Sequence, residues 1–483
     1  MSTFRLFILG VLGGALAAFG QNREILYDFT DIPQSLMLNP GARTGYQWYA
    51  GVPLLSGIGF QTGSSGISAG DIFAADGVDI NQKIREKAVY GMSPRDELFG
   101  HVQVELFSGG FRGRNRPGDF YSFGVYTETD GIGYWFGDLA ILAWDGNVDQ
   151  PGKRFDLGHL KTRGEMVNVF HFGLNRQMSS KLILGARAKL YSGIFNFRTT
   201  RNRGYFQTVK GEDNLLANIL DADMQLRTSG LEGLREALSG DSEDQTRALA
   251  QHLLSRGLFG GDLGLGVDLG FTYHLNERMR LTGSLLDLGF MVHYSDLRNF
   301  SLQGAAVSEG VQLIQPGAAD DPDREFWEDL VDEIESLIPF EEDNGAYLSF
   351  RPTRLYGSFR YNFGKLMEPR GNCDCNPRIS QRYSSQRYQQ ATGLQMFMIN
   401  RPRGPRAALT AFYQRRIGEA MALKVTYSVD RFTATNVGLG VNLQAGPLQG
   451  YFLIDNLLAY RNLAQARYAS LQFGVNILSW GRN

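Results

Sequence analysis

From Leu263 to His274 the side chains alternate with a period of two. Leu263, Leu265, Val267, Leu269, Phe271 and Tyr273 fall on one face, and Gly264, Gly266, Asp268, Gly270, Thr272 and His274 on the other. A helix would gather its apolar residues at three- and four-residue spacing, so this pattern specifies a strand with one apolar and one small or polar face. The same stretch carries glycines at 264, 266 and 270, one residue off the dinucleotide-binding spacing. That fingerprint also needs a strand before it and a helix opening at its last glycine, and neither is present. The apolar face therefore meets either the core of a soluble sandwich or, in a transmembrane barrel, the lipid.

The alternation recurs along the chain. Met421, Leu423, Val425, Tyr427 and Val429 alternate with small or polar residues, and Val437, Leu439, Val441 and Leu443 do the same. Further strands are expected over 98–108, 118–127, 131–141, 167–175, 181–197, 279–292, 354–363, 390–400, 405–414, 448–456 and 468–478. That makes about fourteen; if Gly45–Thr62 and Ser65–Phe73 also span, the count is about sixteen. With the strand at 98 running outward, short turns ("TETD", "RQMSS", "LNER", "RIGEA", "NLQAGPLQ") collect at one end. Connections 109–117, 142–166, 198–261 and 293–353 collect at the other. A transmembrane barrel sorts its loops this way and a sandwich does not. Only 364–389 is long on the short-turn side.

The expected fold is an all-β transmembrane antiparallel barrel over 98–483. An N-terminal plug-like segment and first hairpin precede it over 21–97, and helical insertions lie at 198–261 and 293–353. Residues 1–20 read as a secretory signal: an apolar run from Leu6 to Phe19 follows Arg5, with small residues at Ala18 and Gly20. Mean hydropathy is −0.23, which would suggest a soluble protein, but half of each spanning barrel strand is polar. The 59 Gly, 32 Phe, 21 Tyr and 5 Trp are what barrels use for close packing and interfacial belts. A net charge of −2 gives no case for a nucleic-acid partner.

Several residues invite chemistry. Ser68, in "GISAG", has nucleophile-elbow spacing but lacks the flanking strand and helix, so a Gly/Ser turn is the better reading. Cys373 and Cys375 form a local disulfide or an inert pair, against a metal or redox role that would need further ligands. Arg187, Lys189, Asp268, Asp287 and Arg360 share the lumen register of four consecutive strands. They make either a charge-paired lumen filling or a polar constriction. In the acidic helix Pro322–Leu337, Phe326, Leu330 and Ile334 form an apolar stripe that a neighbouring loop or a partner would cover. A second amphipathic region runs from Asn214 to Arg256 through "LLANILDADM", "LEGLREALS" and "TRALAQHLLS". No catalytic residue, metal site or cofactor is assigned, and the chain is read as non-enzymatic.

The segments "DIPQSLMLNPGARTGYQWYAGVPLLSGI", "DLGLGVDLGFTYHLNERMRLTGSLLDLGFMVHYSDL" and "LYGSFRYNFG" resemble an uncharacterised family of Bacteroidota outer-membrane β-barrels. That family looks related to the FadL-like fatty-acid transporters and the PorV-type barrels of type IX secretion. Asn39-Pro40-Gly41 is similar to the "NPA" of fatty-acid transporter barrels, near the passage from plug to barrel. The resemblance implies a cell outer membrane location, with outer-membrane lipid as a partner. Two functions follow as expectations. The first is a scaffold whose cap and 364–389 loop dock other cell-envelope proteins of a secretion or assembly machine. The alternative is a FadL-like passive transporter of a hydrophobic small-molecule ligand. The polar lumen register and large cap favour the first.

Overall fold

The computed structural model describes residues 24–480, except 148, 211–215, 240–241, 310–339, 368–386, 431 and 433–435. The strands are β1 (Trp48–Gly51), β2 (Ile58–Ser64), β3 (Glu97–Arg112), β4 (Asp119–Tyr134), β5 (Arg154–Asp156), β6 (Thr162–Gln177) and β7 (Leu182–Lys210). They continue with β8 (Leu216–Ser229), β9 (Asp262–His274), β10 (Met279–His293), β11 (Asn299–Glu309), β12 (Glu341–Asp343), β13 (Tyr347–Phe350) and β14 (Arg354–Met367). The last are β15 (Arg387–Arg401), β16 (Gly404–Ile417), β17 (Met421–Val429), β18 (Asn436–Ala445), β19 (Leu448–Asp455) and β20 (Tyr468–Ser479).

Antiparallel pairing closes a barrel of fourteen spanning strands. β1 and β2 together make one interrupted spanning strand between β20 and β3. β13 and β14 make another between β10 and β15. Beyond the barrel, the upper half of β7 pairs with β8 and β5, and β8 with β11, extending the sheet at the long-loop end. Leu142, Phe155, Phe206, Leu220 and Leu302 give this extension its own apolar core.

Alternation sets the two faces of the wall. Leu265, Val267, Leu269 and Tyr273 of β9, Val425 and Tyr427 of β17, and Leu409 and Tyr413 of β16 are exposed outside. Asp268, Thr272, Lys424, Thr426, Thr410 and Gln414 are buried inside. An apolar belt outside and polar side chains within is the reverse of a soluble domain and suits a barrel set in lipid.

Four expectations need correction. The segments 118–127 and 131–141 are not two strands: β4 runs unbroken through "TETD", and Gly137–Asp145 is a helix. Here Glu128 and Asp130 point inward while Thr127 and Thr129 point outward, so polarity on both faces erases the alternation. The missing spanning strand is β1/β2, running from Trp48 to Ser64 over most of the expected Gly45–Thr62 and interrupted at Val52–Gly57, whereas Ser65–Phe73 does not span. Ser68 does have the flanking elements expected to be missing, β2 before it and the helix Ala69–Phe73 after it, but its side chain caps that helix in a capping box with Asp71. Third, β3 runs on to Arg112, so its connection to β4 lies at the short-turn end and the strand at 98 starts from the long-loop end. "RQMSS", "LNER", "RIGEA" and "NLQAGPLQ" do lie at the short-turn end. Finally, "LLANILDADM" contributes to β8 rather than to a helix, while Leu231–Leu238 and Ser242–Ser255 are helical. The signal segment, the stripe Phe326, Leu330 and Ile334, and Cys373 with Cys375 lie outside the described residues.

Candidate functional site

The lumen at the short-turn end is occupied by the chain's own N-terminal segment. Ile25, Leu26, Tyr27, Phe29, Ile32 and Leu38 are at most 2% exposed, packed with Tyr356, Phe397, Tyr451 and Leu453 of the wall. Each such burial contributes about 1.5–3 kcal/mol. Tyr27 stacks on Tyr356 with ring centroids 4.9 Å apart.

Three acids of the segment meet polar groups of the wall, and for two of them the partners are cations. Asp28 pairs with Arg280 at 2.6 Å and Arg360 at 3.4 Å. Asp31 pairs with Arg416 at 2.7 Å and Arg387 at 3.2 Å. Glu24 accepts from the hydroxyls of Thr410 and Ser428. Burial pushes the Glu24 carboxyl up to about 8, with Asp455 and Asp430 adding to the rise against the Ser428 hydrogen bond and Lys424. The Lys424 ammonium itself donates to the carbonyls of Tyr27 at 2.6 Å and Glu24 at 3.3 Å.

The segment ends on Asn39-Pro40-Gly41, which stands against the wall where that wall has no side chains. Gly185 of β7 pairs with Gly270 of β9. A Cβ on Gly185 would lie 2.1 Å from the Pro40 carbonyl, and one on Gly270 would lie 2.2 Å from Asn39 Oδ1. Larger residues at either position would push the turn away. Hydrogen bonds fasten it: Asn39 Nδ2 donates to the Phe271 carbonyl at 3.1 Å, and Asn39 Oδ1 accepts from Gly41 N at 2.8 Å. Asn175 donates to Pro40 and Ala42 at 2.7 Å each, Thr272 to Gly41 at 2.8 Å, and Ser284 to Leu38 at 2.5 Å. On the other side of the same patch, an apolar groove of about 570 Å³ runs along the outer wall between Leu184, Ala186, Leu269, Phe271, Leu285 and Leu355.

Four of the five lumen charges form one cluster beside this turn. Arg187 Nε donates to Asp268 at 2.7 Å, and its guanidinium also reaches the carbonyls of Leu36 at 3.1 Å and Met37 at 2.5 Å. Lys189 bridges Asp268 at 2.9 Å and Asp287 at 2.6 Å. Asp287 sits at a bulge in β10 with φ +57°, and its N–H donates to Asp268 Oδ1. Arg360 is elsewhere, with Asp28 and Gln414. The chain thus uses these charges in two places, and both of them hold the segment: the cluster through Leu36 and Met37, Arg360 through Asp28.

Sequence reasoning missed a second closure, nearer the long-loop end. Glu128 of β4 is held by Arg351 at 2.9 Å and by Arg354, Glu165 by Arg351 at 2.5 Å, and Asp130 by Arg401 at 2.6 Å. Arg354, Arg351 and Arg401 come from β14, the β13–β14 link and β15, across the barrel from β4. Only the inward register of Glu128 and Asp130 could have signalled it, and the assumed turn hid that register. Near the rim His293 joins Asp262 Oδ2 at 2.7 Å and Ser349 Oγ at 2.8 Å. The three have the residue types of a hydrolytic triad, but each is 1% exposed. So enclosed, and with Asp262 Oδ1 also accepting from the N–H groups of Tyr294 and Ser295, they read as a satisfied buried bridge.

Comparison with known proteins adds the following. No curated protein matches the chain. Among solved structures it is similar to the Pseudomonas putida toluene transporter TodX, at 11% identity over 95% of this chain and 93% of that one, with a TM-score of 0.34. It is similar to the Ralstonia pickettii toluene transporter TbuX, at 10% identity over 92% of each chain and a TM-score of 0.39. A Pseudomonas aeruginosa FadL homologue matches at 8% identity over 89% of this chain and 88% of that one, with a TM-score of 0.34. The model of a family of unknown function, DUF5723, matches residues 40–455, from the Pro40 of the docked turn to the Asp455 that closes β19, and the chain belongs to that family.

Proposed function

We propose that the protein is an outer-membrane barrel that passes hydrophobic small molecules, with residues 24–42 as a plug that gates them. The observation that carries this reading is the glycine patch at Gly185 and Gly270. There the Asn39-Pro40-Gly41 turn stands on the lumen side of the wall and an apolar groove on the other. Withdrawal of the turn would leave a wall two glycines thin between groove and lumen. This answers the objection raised by a polar lumen, because an apolar solute entering through the wall need not traverse the charged interior. The scaffold reading drew on the 364–389 loop and the acidic helix, most of which lies outside the described residues, and nothing in the described cap adds to it.

The test is uptake by intact cells producing the protein, since an intact outer membrane resists apolar solutes. A radiolabelled alkane or alkylbenzene should enter faster than in cells carrying an empty vector, while a polar sugar of similar size enters at an unchanged rate. Equal rates for the apolar solute with and without the protein would defeat the proposal.

A further inference from the structure

Between the helix Ser242–Ser255 and β9, residues Arg256–Gly260 do not rise over the barrel mouth but follow its outer surface. Three side chains in the outward register of this wall are polar: Thr127 of β4, Asn168 of β6 and Ser192 of β7. Left bare against hydrocarbon, such groups are costly. Here Thr127 Oγ1 donates to Asn168 Oδ1 at 2.6 Å and Asn168 Nδ2 to the Gly257 carbonyl at 3.1 Å. Ser192 Oγ donates to the Arg256 carbonyl at 2.7 Å and accepts from Phe259 N at 3.0 Å. The Arg256 guanidinium is turned back to the rim, donating to Ile194 O at 2.6 Å and Ser295 Oγ at 3.0 Å.

Phe259 has φ +70°, in the left-handed region that a phenylalanine rarely adopts. That conformation lays its ring on Phe170 of the outer wall, with centroids 4.6 Å apart. Phe170 pairs with Leu190, and Leu190 with Leu265, so the contact lies level with the apolar belt, below the start of β9. Leu254, Leu258 and Phe259 remain 63%, 59% and 46% exposed. Directly beneath, a groove of about 500 Å³ runs between Phe107, Phe123, Phe172, Leu190 and Leu265.

We infer that Arg256–Gly260 is a membrane anchor, in which Leu258 and Phe259 enter the acyl region of the leaflet at the long-loop end and a lipid acyl chain lies in the groove below. The occupant follows from continuity: the exposed residues extend the apolar outer belt without a break. The inference rests on the reading that the barrel spans a membrane.

The test places single nitroxide labels on the full chain in a C373S/C375S background, reconstituted in phosphatidylcholine vesicles, with folding checked by heat-modifiable gel mobility. L258C and F259C report the anchor, L265C the wall, and Q251C the solvent-exposed helix. Oxygen, enriched in lipid, should relax labels at 258, 259 and 265 more than a water-soluble nickel chelate does, with the reverse at 251. If 258 and 259 follow 251 while 265 follows lipid, the anchor is overturned and the barrel stands. If 265 also follows the chelate, the spanning reading fails as well.

Discussion

The two ends of the lumen are closed by different means. Towards the long loops the closure belongs to the wall: Glu128 and Asp130 of β4 reach Arg351, Arg354 and Arg401 on the opposite side. Towards the short turns it belongs to a separate stretch of chain, whose carbonyls accept from Arg187, Ser284, Thr272, Asn175 and Lys424. A closure made by side chains of the wall stays with the strands and link that carry it, whereas one made by docked chain can be released with the barrel intact. On the proposed function the wall ion pairs serve stability and the plug serves gating, and three measurements separate the two.

The largest effect is expected from Glu128→Ala, which strips two buried guanidinium groups of a partner. It should cost about 3–5 kcal/mol, read as a lowered denaturation midpoint in detergent, with protease cleavage of the plug unchanged under native conditions. Asp31→Asn removes the charge facing Arg416 and Arg387 but keeps an acceptor for them. It should weaken docking by about 1–3 kcal/mol and expose residues 24–42 to protease while the barrel midpoint stays put. A midpoint shift matching that of Glu128→Ala would erase the distinction between the two ends.

The third effect is one of pH. Glu24 is protonated when docked up to about pH 8, against an ordinary value of 4.5. Because the raised group is the buried one, its favourable contribution is complete below pH 4.5. It falls by up to about 1.4 kcal/mol per pH unit above that value and is exhausted once pH passes about 8. Plug protection from protease, taken as a ratio to Glu24→Gln at each pH, should decline from pH 5 to 8 and then level off. A flat ratio would show that Glu24 is not held protonated.

Much of the fold was legible because β9, β17 and β18 keep strict alternation, one face outside the barrel and the other lining the lumen. It failed where both faces are polar. Thr127 and Asn168 face outward because a docked segment covers them, and Glu128 faces inward because Arg351 lies across the barrel. No local pattern carries either fact. The strand β1/β2 was blurred by its interruption at Val52–Gly57, and β8 by belonging to a sheet extension beyond the barrel. At the candidate site, Arg187, Lys189, Asp268 and Asp287 were visible as inward charges, and Asn39-Pro40-Gly41 as a motif. What stayed hidden was their meeting, since Gly185 and Gly270 matter only for the backbone that fills the space of their missing side chains.

The most direct test of the gating claim is Gly185→Leu, measured by paired uptake of an apolar hydrocarbon and a polar sugar in cells with intact outer membranes. A leucine there would overlap Pro40 and drive the turn off the wall. The hydrocarbon is expected to enter faster than with the unaltered protein while the sugar stays excluded, because the Glu128–Arg351 closure is untouched. A displaced plug, shown by protease cleavage, with hydrocarbon uptake unchanged would contradict it, as would equal admission of both solutes.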